Sequence, residues 1–258
     1  PAASDREIWP LTHPSGQPSG YKMVICRTAE TREKAACLVR AMYTQCGYLD
    51  QAGRAGQAPA ARSAHEITFL IEDPSGQAAA TATLVFDQGG GLPCDEIFAA
   101  ETGSLRRAGR ALVEVARLAL HRSHAGQKTL LVGLFTFIYI YARKIRGYDD
   151  FLIEVNPRHI EYYRRYLLFT TAGAQRPCPR VNGAPALLAR LDLSVVDREV
   201  GRQSTEPPAP GARTLFPYYC PSKVERSILR FLRGDQQDTE APSRPGTARY
   251  FPVRGPQL

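Results

Sequence analysis

The sequence predicts a mixed α/β (α+β) domain, and three observations lead there. Strand-like and helix-like apolar segments follow one another as strand, helix, hairpin, strand, helix, strand, helix, strand, which is not the regular alternation of a doubly wound sheet. The turn signal Asp73-Pro74-Ser75-Gly76 joins two strand-like runs into an antiparallel hairpin. The apolar strand Phe151-Leu152-Ile153-Glu154-Val155 stops at Asn156-Pro157, and a short aromatic and basic helix opens beside its end.

In chain order, residues 1–20 carry Pro1, Pro10, Pro14 and Pro18 and read as an extended arm. Tyr21 to Arg27 reads as a strand. Thr28 or Thr31 caps a helix with Ala35, Leu38, Val39, Met42 and Cys46 on one face, ended by Gly47. Residues 49–64, rich in Ala, Gly and Gln, read as a loop long enough to cover a substrate. His65 to Glu72 and Gln77 to Phe86 form the hairpin. After the Gly89-Gly90-Gly91-Leu92-Pro93 break, residues 95–109 read as irregular or partly helical, and Ala111 to Leu120 suits either a strand or a helix. Thr129 to Ile145 is long and apolar enough for a buried helix. Residues 158–167 form the helix after Asn156-Pro157, and strands near 168–175 and 186–193 close the domain at about residue 200. The remainder, 201–258, is a Pro-rich extension with a helical island at Ser222 to Leu232 that wraps the domain or meets a partner.

The bulk numbers narrow the function classes. The 258 residues are 43% hydrophobic and 22% charged, enough for one large domain with a real core. No apolar run is long enough to span a membrane. The opening residues lack the basic start and apolar centre of a signal peptide, so a cytoplasmic protein is expected. The six cysteines form no C-x-x-C pair and no zinc spacing with histidine, which favours reduced structural thiols. A net charge of +8 without a nucleic-acid motif suits an acidic protein partner as well as plain solubility.

Four segments carry more than fold-level information. They are Arg40-Ala41-Met42-Tyr43 with Gly47-Tyr48, Asp87 to Phe98 (DQGGGLPCDEIF), Leu105 to Leu120 (LRRAGRALVEVARLAL), and Asn156 to Phe169 followed by Pro185-Ala186-Leu187-Leu188. In this order and spacing they resemble the bacterial N-acyl amino acid synthases, GNAT-like relatives of the acyl-homoserine-lactone synthases, over residues 21–195. The resemblance implies a GNAT-like fold, with a central, mostly antiparallel sheet flanked by helices. It also implies the reaction. A long-chain acyl group moves from the phosphopantetheine arm of acyl carrier protein to the α-amine of an amino acid. The arm is then a donor substrate, with no bound cofactor and no metal. Glu114-Val115-Ala116-Arg117-Leu118 looks like the Glu-x-Ser-Arg-Phe segment of the lactone synthases, departing from it at Ala116 and Leu118.

Such a transfer needs a proton acceptor for the ammonium, donors for the thioester oxygen, a proton or positive field for the thiolate, and an arginine for the substrate carboxylate. Glu114 is the expected base, with Glu101 as the alternative. Arg117 is expected to contact the substrate carboxylate or the carbonyl, and Arg40 is a further substrate-binding candidate. Tyr43 and Phe98, with Tyr48, are candidates to line an aromatic acceptor pocket, which makes tyrosine the suggested acceptor. Tyr163 or its neighbour Tyr162 stands where many GNAT enzymes keep a thiolate-protonating tyrosine. Asn156 is placed to bind the pantetheine amides, and His159 to support the same loop. The loop Leu120 to Lys128 has one glycine and lacks the pattern that cradles a CoA pyrophosphate, whereas Arg122, Lys128, Arg143, Lys144 and Arg146 suit an acidic carrier protein. Two alternatives remain open, a CoA-dependent GNAT N-acetyltransferase and a non-catalytic module that binds an acyl chain or a partner.

Overall fold

The apolar runs assemble into one eight-stranded sheet in the order β1-β2-β3-β4-β5-β6-β8-β7. The computed structural model describes residues 8–12, 18–49, 65–124, 128–203 and 214–234. The expected substrate-covering loop therefore lies, but for Leu49, outside the described residues, as does much of the Pro-rich extension.

Strand β1 (Ile8–Thr12) lies within the stretch expected as an arm and pairs antiparallel with β2 (Pro18–Ile25). Prolines hid it, but Pro10 sits on an edge strand, where a missing N–H is tolerated. Trp9 anchors it, with its ring 6.3 Å from Phe137 and 5.4 Å from Phe231. Helix α1 (Ala29–Gln45) starts where expected. The Thr28 side chain accepts from the Thr31 amide at 3.2 Å, and Ala35, Leu38 and Met42 are buried. The hairpin of β3 (Glu66–Glu72) and β4 (Ala78–Phe86) turns on Asp73, whose Oδ1 accepts from the Ser75 and Gln77 amides at 2.8 and 3.0 Å.

Residues expected as irregular form helix α2 (Asp95–Arg107), with a break at Phe98 (φ −127°). The ambiguous run resolves as strand β5 (Leu112–Leu120). Helix α3 (Lys128–Tyr139) continues as a π-helical turn, Ile140–Ile145. Strand β6 (Asp150–Val155) ends at Asn156, a 3₁₀ turn covers Pro157–His159, and α4 (Ile160–Leu167) follows. Strands β7 (Thr170–Cys178) and β8 (Ala184–Asp192) form a hairpin whose turn holds Asn182 (φ 56°) and Gly183 (φ 71°), a conformation those two residue types adopt at little cost. Two helices end the described chain, α5 (Leu193–Gln203) and α6 (Ser222–Gly234).

Every pairing is antiparallel except β5 with β6. Side-chain alternation divides the core between the two faces. Val113, Val115, Phe151 and Ile153 join the large cluster with α3 and α6. Leu112 and Leu152 join Cys94 and Phe98 of the α2 side. Burying side chains such as Phe69, Phe137 and Phe151 contributes about 2 kcal/mol each. Among the described residues, no helix is long and apolar enough to cross a membrane.

Candidate active site

The one parallel pair is joined only briefly. Its ladder covers Leu112–Asp150, Val113–Phe151 and Glu114–Leu152, although β5 runs on to Leu120 and β6 to Val155. Beyond Glu114 the two strands part. A bulge in β5 between Ala116 and Ala119, opposite Thr81 and Thr83 of β4, marks the same place, where Arg117 takes φ 51°. A bulge adds a residue and bends its strand. The opening exposes the inner edges of both strands at their carboxyl ends, the usual position of a ligand crevice between parallel strands.

Period two puts Glu114 and Glu154 on the face shared with Leu112 and Leu152. Glu114 is 2% exposed. Its Oε2 accepts from the Cys94 amide at 2.8 Å, at the N-terminus of α2. Burial pushes its carboxyl up to about 7, and the Glu154 charge adds to the effect. Glu154 is also held up by burial, against the pull of Arg180. Arg180, from the turn after β7, binds Glu154 and Glu96 and donates to the Pro93 carbonyl at 2.6 Å. Glu154 Oε1 is buried and has no hydrogen-bond partner among the described residues. Two acids thus share one arginine, and one carboxylate oxygen is unsatisfied, an arrangement found more often at reacting sites than in inert cores. Burial, then the neighbouring Glu114, also raises the Cys94 thiol far above its usual value, so it stands protonated.

Tyrosines face the same opening. Tyr43, at the end of α1, is driven up to about 12 by burial, with Arg117 acting against it. Its ring meets Tyr48 edge-on at 5.7 Å. Arg158 lies over the Tyr48 ring at 5.5 Å and donates to its hydroxyl at 3.0 Å. Tyr163 is raised well above the usual tyrosine value by burial, with Tyr43, Tyr162 and Tyr48 adding to it, so its hydroxyl keeps a proton to give. Tyr162, by contrast, is 38% exposed and stacks on Tyr166 at 4.8 Å.

Charge neighbours thus link Glu114 to Glu154, Tyr43 to Glu154 and Arg117, and Tyr163 to Tyr43. Arg117 pairs with Glu66 at 2.5 Å rather than with Glu114, and donates to Thr83 at 3.3 Å. Asn156 sits at the strand end as expected, with its side-chain oxygen capping the turn through the Arg158 amide at 3.1 Å. His159 is exposed, and its Nε2 accepts from Arg158 Nε at 2.9 Å, while burial and Arg158 lower its proton affinity.

Three expected residues stand elsewhere. Glu101 forms a two-pronged pair with Arg176 of β7 at 2.5 and 3.1 Å, which holds its carboxyl below the ordinary range and makes it a poor base. Arg40 is exposed on α1, bound to Glu33 at 2.5 Å. Phe98 is 0% exposed and packs so closely on β7 that a Cβ on Gly173 would lie 2.8 Å from its ring. It is a core residue, not a pocket wall. Of the basic residues expected to meet a carrier protein, Arg122 does not share a patch with Arg143 and Lys144. Arg122 precedes α3, whereas Arg143 and Lys144 lie about 20 Å along it and pair with Asp197 at 2.9 and 2.7 Å. Glu154, Arg180 and the capping role of Cys94 escaped the sequence reading. A lone acid inside the apolar run Phe151 to Val155 was the available signal.

An apolar cavity of about 40 Å³ lies on the other face. Phe135, Thr136 and Tyr139 of α3, Phe151 of β6 and Leu191 of β8 form part of its wall. Phe151 is one rung from the point where β5 and β6 part. Among the described residues no group of three or more His, Cys, Asp or Glu is set to hold a metal ion.

Residues 34–192 match the family model of the N-acyl amino acid synthase FeeM. The solved structure of FeeM, an N-acyl amino acid synthase from uncultured soil microbes, is 27% identical with a TM-score of 0.59, over 67% of this chain and 91% of that one. BjaI, a CoA-dependent acyl-homoserine lactone synthase, is 13% identical with a TM-score of 0.49, over 67% of this chain and 83% of that one. No curated protein matches. The family model spans more than half of the sequence, the sheet is of the GNAT-like kind, and the chain belongs to the FeeM family of N-acyl amino acid synthases, which are N-acyltransferases.

Proposed function

We propose that this N-acyltransferase moves a long-chain acyl group from the phosphopantetheine arm of an acyl carrier protein to the α-amine of an amino acid. One observation carries the reading, the buried Glu114 poised near pH 7 at the parting of β5 and β6. The pantetheine arm fits between the two strands, where its amides can pair with the exposed strand edges and with Asn156. The acyl chain continues toward the apolar cavity on the α3 face.

Glu114, directly or through one water, takes a proton from the substrate ammonium. The freed nitrogen lone pair attacks the thioester carbon, and the C=O π pair moves onto oxygen. Backbone N–H groups at the inner strand edges stabilise that oxyanion. When the C=O re-forms, the C–S bond breaks and the electron pair leaves on sulfur. Tyr163 gives that sulfur a proton. The nitrogen loses its second proton to solvent, leaving an N-acyl amino acid and the carrier's free thiol.

The choice of carrier protein over CoA rests on the glycine-poor loop before α3 and on two exposed arginines. Arg122 follows β5 and Arg158 follows β6, one on each side of the crevice mouth. The paired Tyr43 and Tyr48 rings suit an aromatic acceptor, and tyrosine is the proposed one.

The test is to give purified protein long-chain acyl carrier protein or the matching acyl-CoA, with a mixture of amino acids, and to read products by mass spectrometry. N-acyl tyrosine formed from the carrier thioester is expected. Turnover from acyl-CoA alone would overturn the donor, a different acylated amino acid would overturn the acceptor, and no N-acyl product would overturn the reaction.

A further inference from the structure

The far wall of the apolar cavity does not come from the stretch that matches the family. Leu215, Phe216 and Tyr219 line it, and they lie past residue 192, where that match ends. They are firmly seated. The Leu215 amide donates to the Tyr166 carbonyl at 2.9 Å, which ties the segment to α4. Leu215 and Phe216 are buried, and the Tyr219 ring meets Tyr139 of α3 edge-on at 5.9 Å. Helix α5 packs on the segment, and α6, which follows it, packs on the π-helical turn Ile140–Ile145. Ile228 and Leu232 are buried, and Phe231 completes an aromatic trio with Trp9 and Phe137. Residues 214–234 of the expected extension are thus docked on the domain.

One atom in this wall is out of keeping with plain packing. The Tyr219 hydroxyl is buried with no hydrogen-bond partner among the described residues. An unsatisfied polar group is unfavourable in a core, and Phe would fill the same space without it. In a pocket for an alkyl chain, a polar group at the end opposes further methylenes.

We infer that Leu215, Phe216 and Tyr219 form the end stop of the acyl pocket and set the length of chain that is transferred. The inference rests on the acyl-transfer reading above. The occupant is the methyl end of the donor's acyl chain, because the cavity wall is apolar and begins one rung from the site where the thioester reacts. One methylene in a hydrophobic pocket is worth about 10-fold or more in discrimination.

Two opposed variants test it, assayed with carrier-bound acyl chains of graded length. Tyr219→Ala shortens the stop, and the length with the highest kcat/KM should rise by about two carbons, with the longer chain gaining about tenfold. Leu215→Trp fills the pocket and should move the optimum the other way. Unchanged length profiles in both, with turnover retained, would overturn the inference while leaving the reaction intact. A third measurement needs no variant. A fatty acid carrying a diazirine at its methyl end is photolysed with the unmodified protein, and labelled peptides are mapped. Label on the peptide containing residues 215–219 is expected, whether or not the protein turns over. Label confined to other peptides, or none, would overturn the end stop. Label there in a protein that transfers no acyl group would keep the pocket and overturn the reaction.

Discussion

The two ends of the β5–β6 pair both bury acidic side chains, and they treat them in opposite ways. At the closed end Asp150 is 0% exposed and saturated. Arg110 binds both of its oxygens at 2.6 and 2.9 Å, and Arg190 adds a bond at 2.8 Å. At the open end Arg180 binds Glu154 and Glu96, Glu114 accepts from the Cys94 amide, and Glu154 keeps an unsatisfied oxygen. At the closed end two acids, Asp150 and Asp192, meet two arginines, whereas at the open end Glu96, Glu114 and Glu154 lie around one. The first suits a balanced ion-pair cluster that ties β6, β8 and the entry to β5 together. The second suits a group that gains and loses a proton near neutrality.

The largest expected effect is at the open end. Glu114→Gln keeps the shape and the bond from the Cys94 amide but removes the base, so kcat should fall by about 100- to 10,000-fold with the fold retained. Circular dichroism beside the rate assay checks both halves. The same carboxyl also links stability to pH. Its folded value, about 7, lies above the ordinary 4.5 of a glutamate. Its contribution is therefore fully present below 4.5 and is lost as pH rises through about 7. Glu114→Gln should gain stability relative to the unmodified protein over that window, just where the unmodified enzyme gains activity.

The closed end should answer in stability. Asp150→Ala removes the buried partner of Arg110 and Arg190, leaves them only the partly exposed Asp192, and should cost about 3 kcal/mol, read as a lower denaturation midpoint. If it instead left stability intact and altered only the pH–rate profile, the contrast between the two ends would be wrong. A smaller effect is expected from Glu154→Gln. Removing that negative charge should move the acidic limb of the rate profile to lower pH, because Glu154 helps to hold Glu114 up. An unmoved limb would mean that burial alone sets it. The smallest effect belongs to Glu101→Gln. Its partly exposed pair with Arg176 ties α2 to β7, so activity should stay within about twofold and stability within about 1 kcal/mol.

Legibility in the sequence followed the same divide. The β3–β4 hairpin was readable because Asp73 to Gly76 is a local turn signal with a local mechanism. The end of β6 was readable because Asn156-Pro157 stops a strand by itself. Glu114 stood out as an acid in an apolar run. Glu154 had the same signature but was overlooked, and its role depends on Arg180, which comes from a turn after β7. The Asn182-Gly183 pair announces that turn, yet nothing local says that the neighbouring arginine reaches under α2. Phe98 and Arg40 failed for a related reason. They lie in segments that resemble the family, but which way a helical side chain faces is decided by what packs on it, Gly173 for one and Glu33 for the other. Strand β1 was hidden because its stabilising partners, Phe137 and Phe231, are far away in sequence.

The most direct measurement is the pH dependence of kcat/KM for acyl transfer, compared between the unmodified enzyme and Glu114→Gln. The unmodified enzyme should show an acidic limb near pH 7 that is absent from the residual activity of Glu114→Gln, while any limb from the substrate's own amine is common to both. The same limb in both proteins would mean that the buried acid at the parting of the strands is not the base.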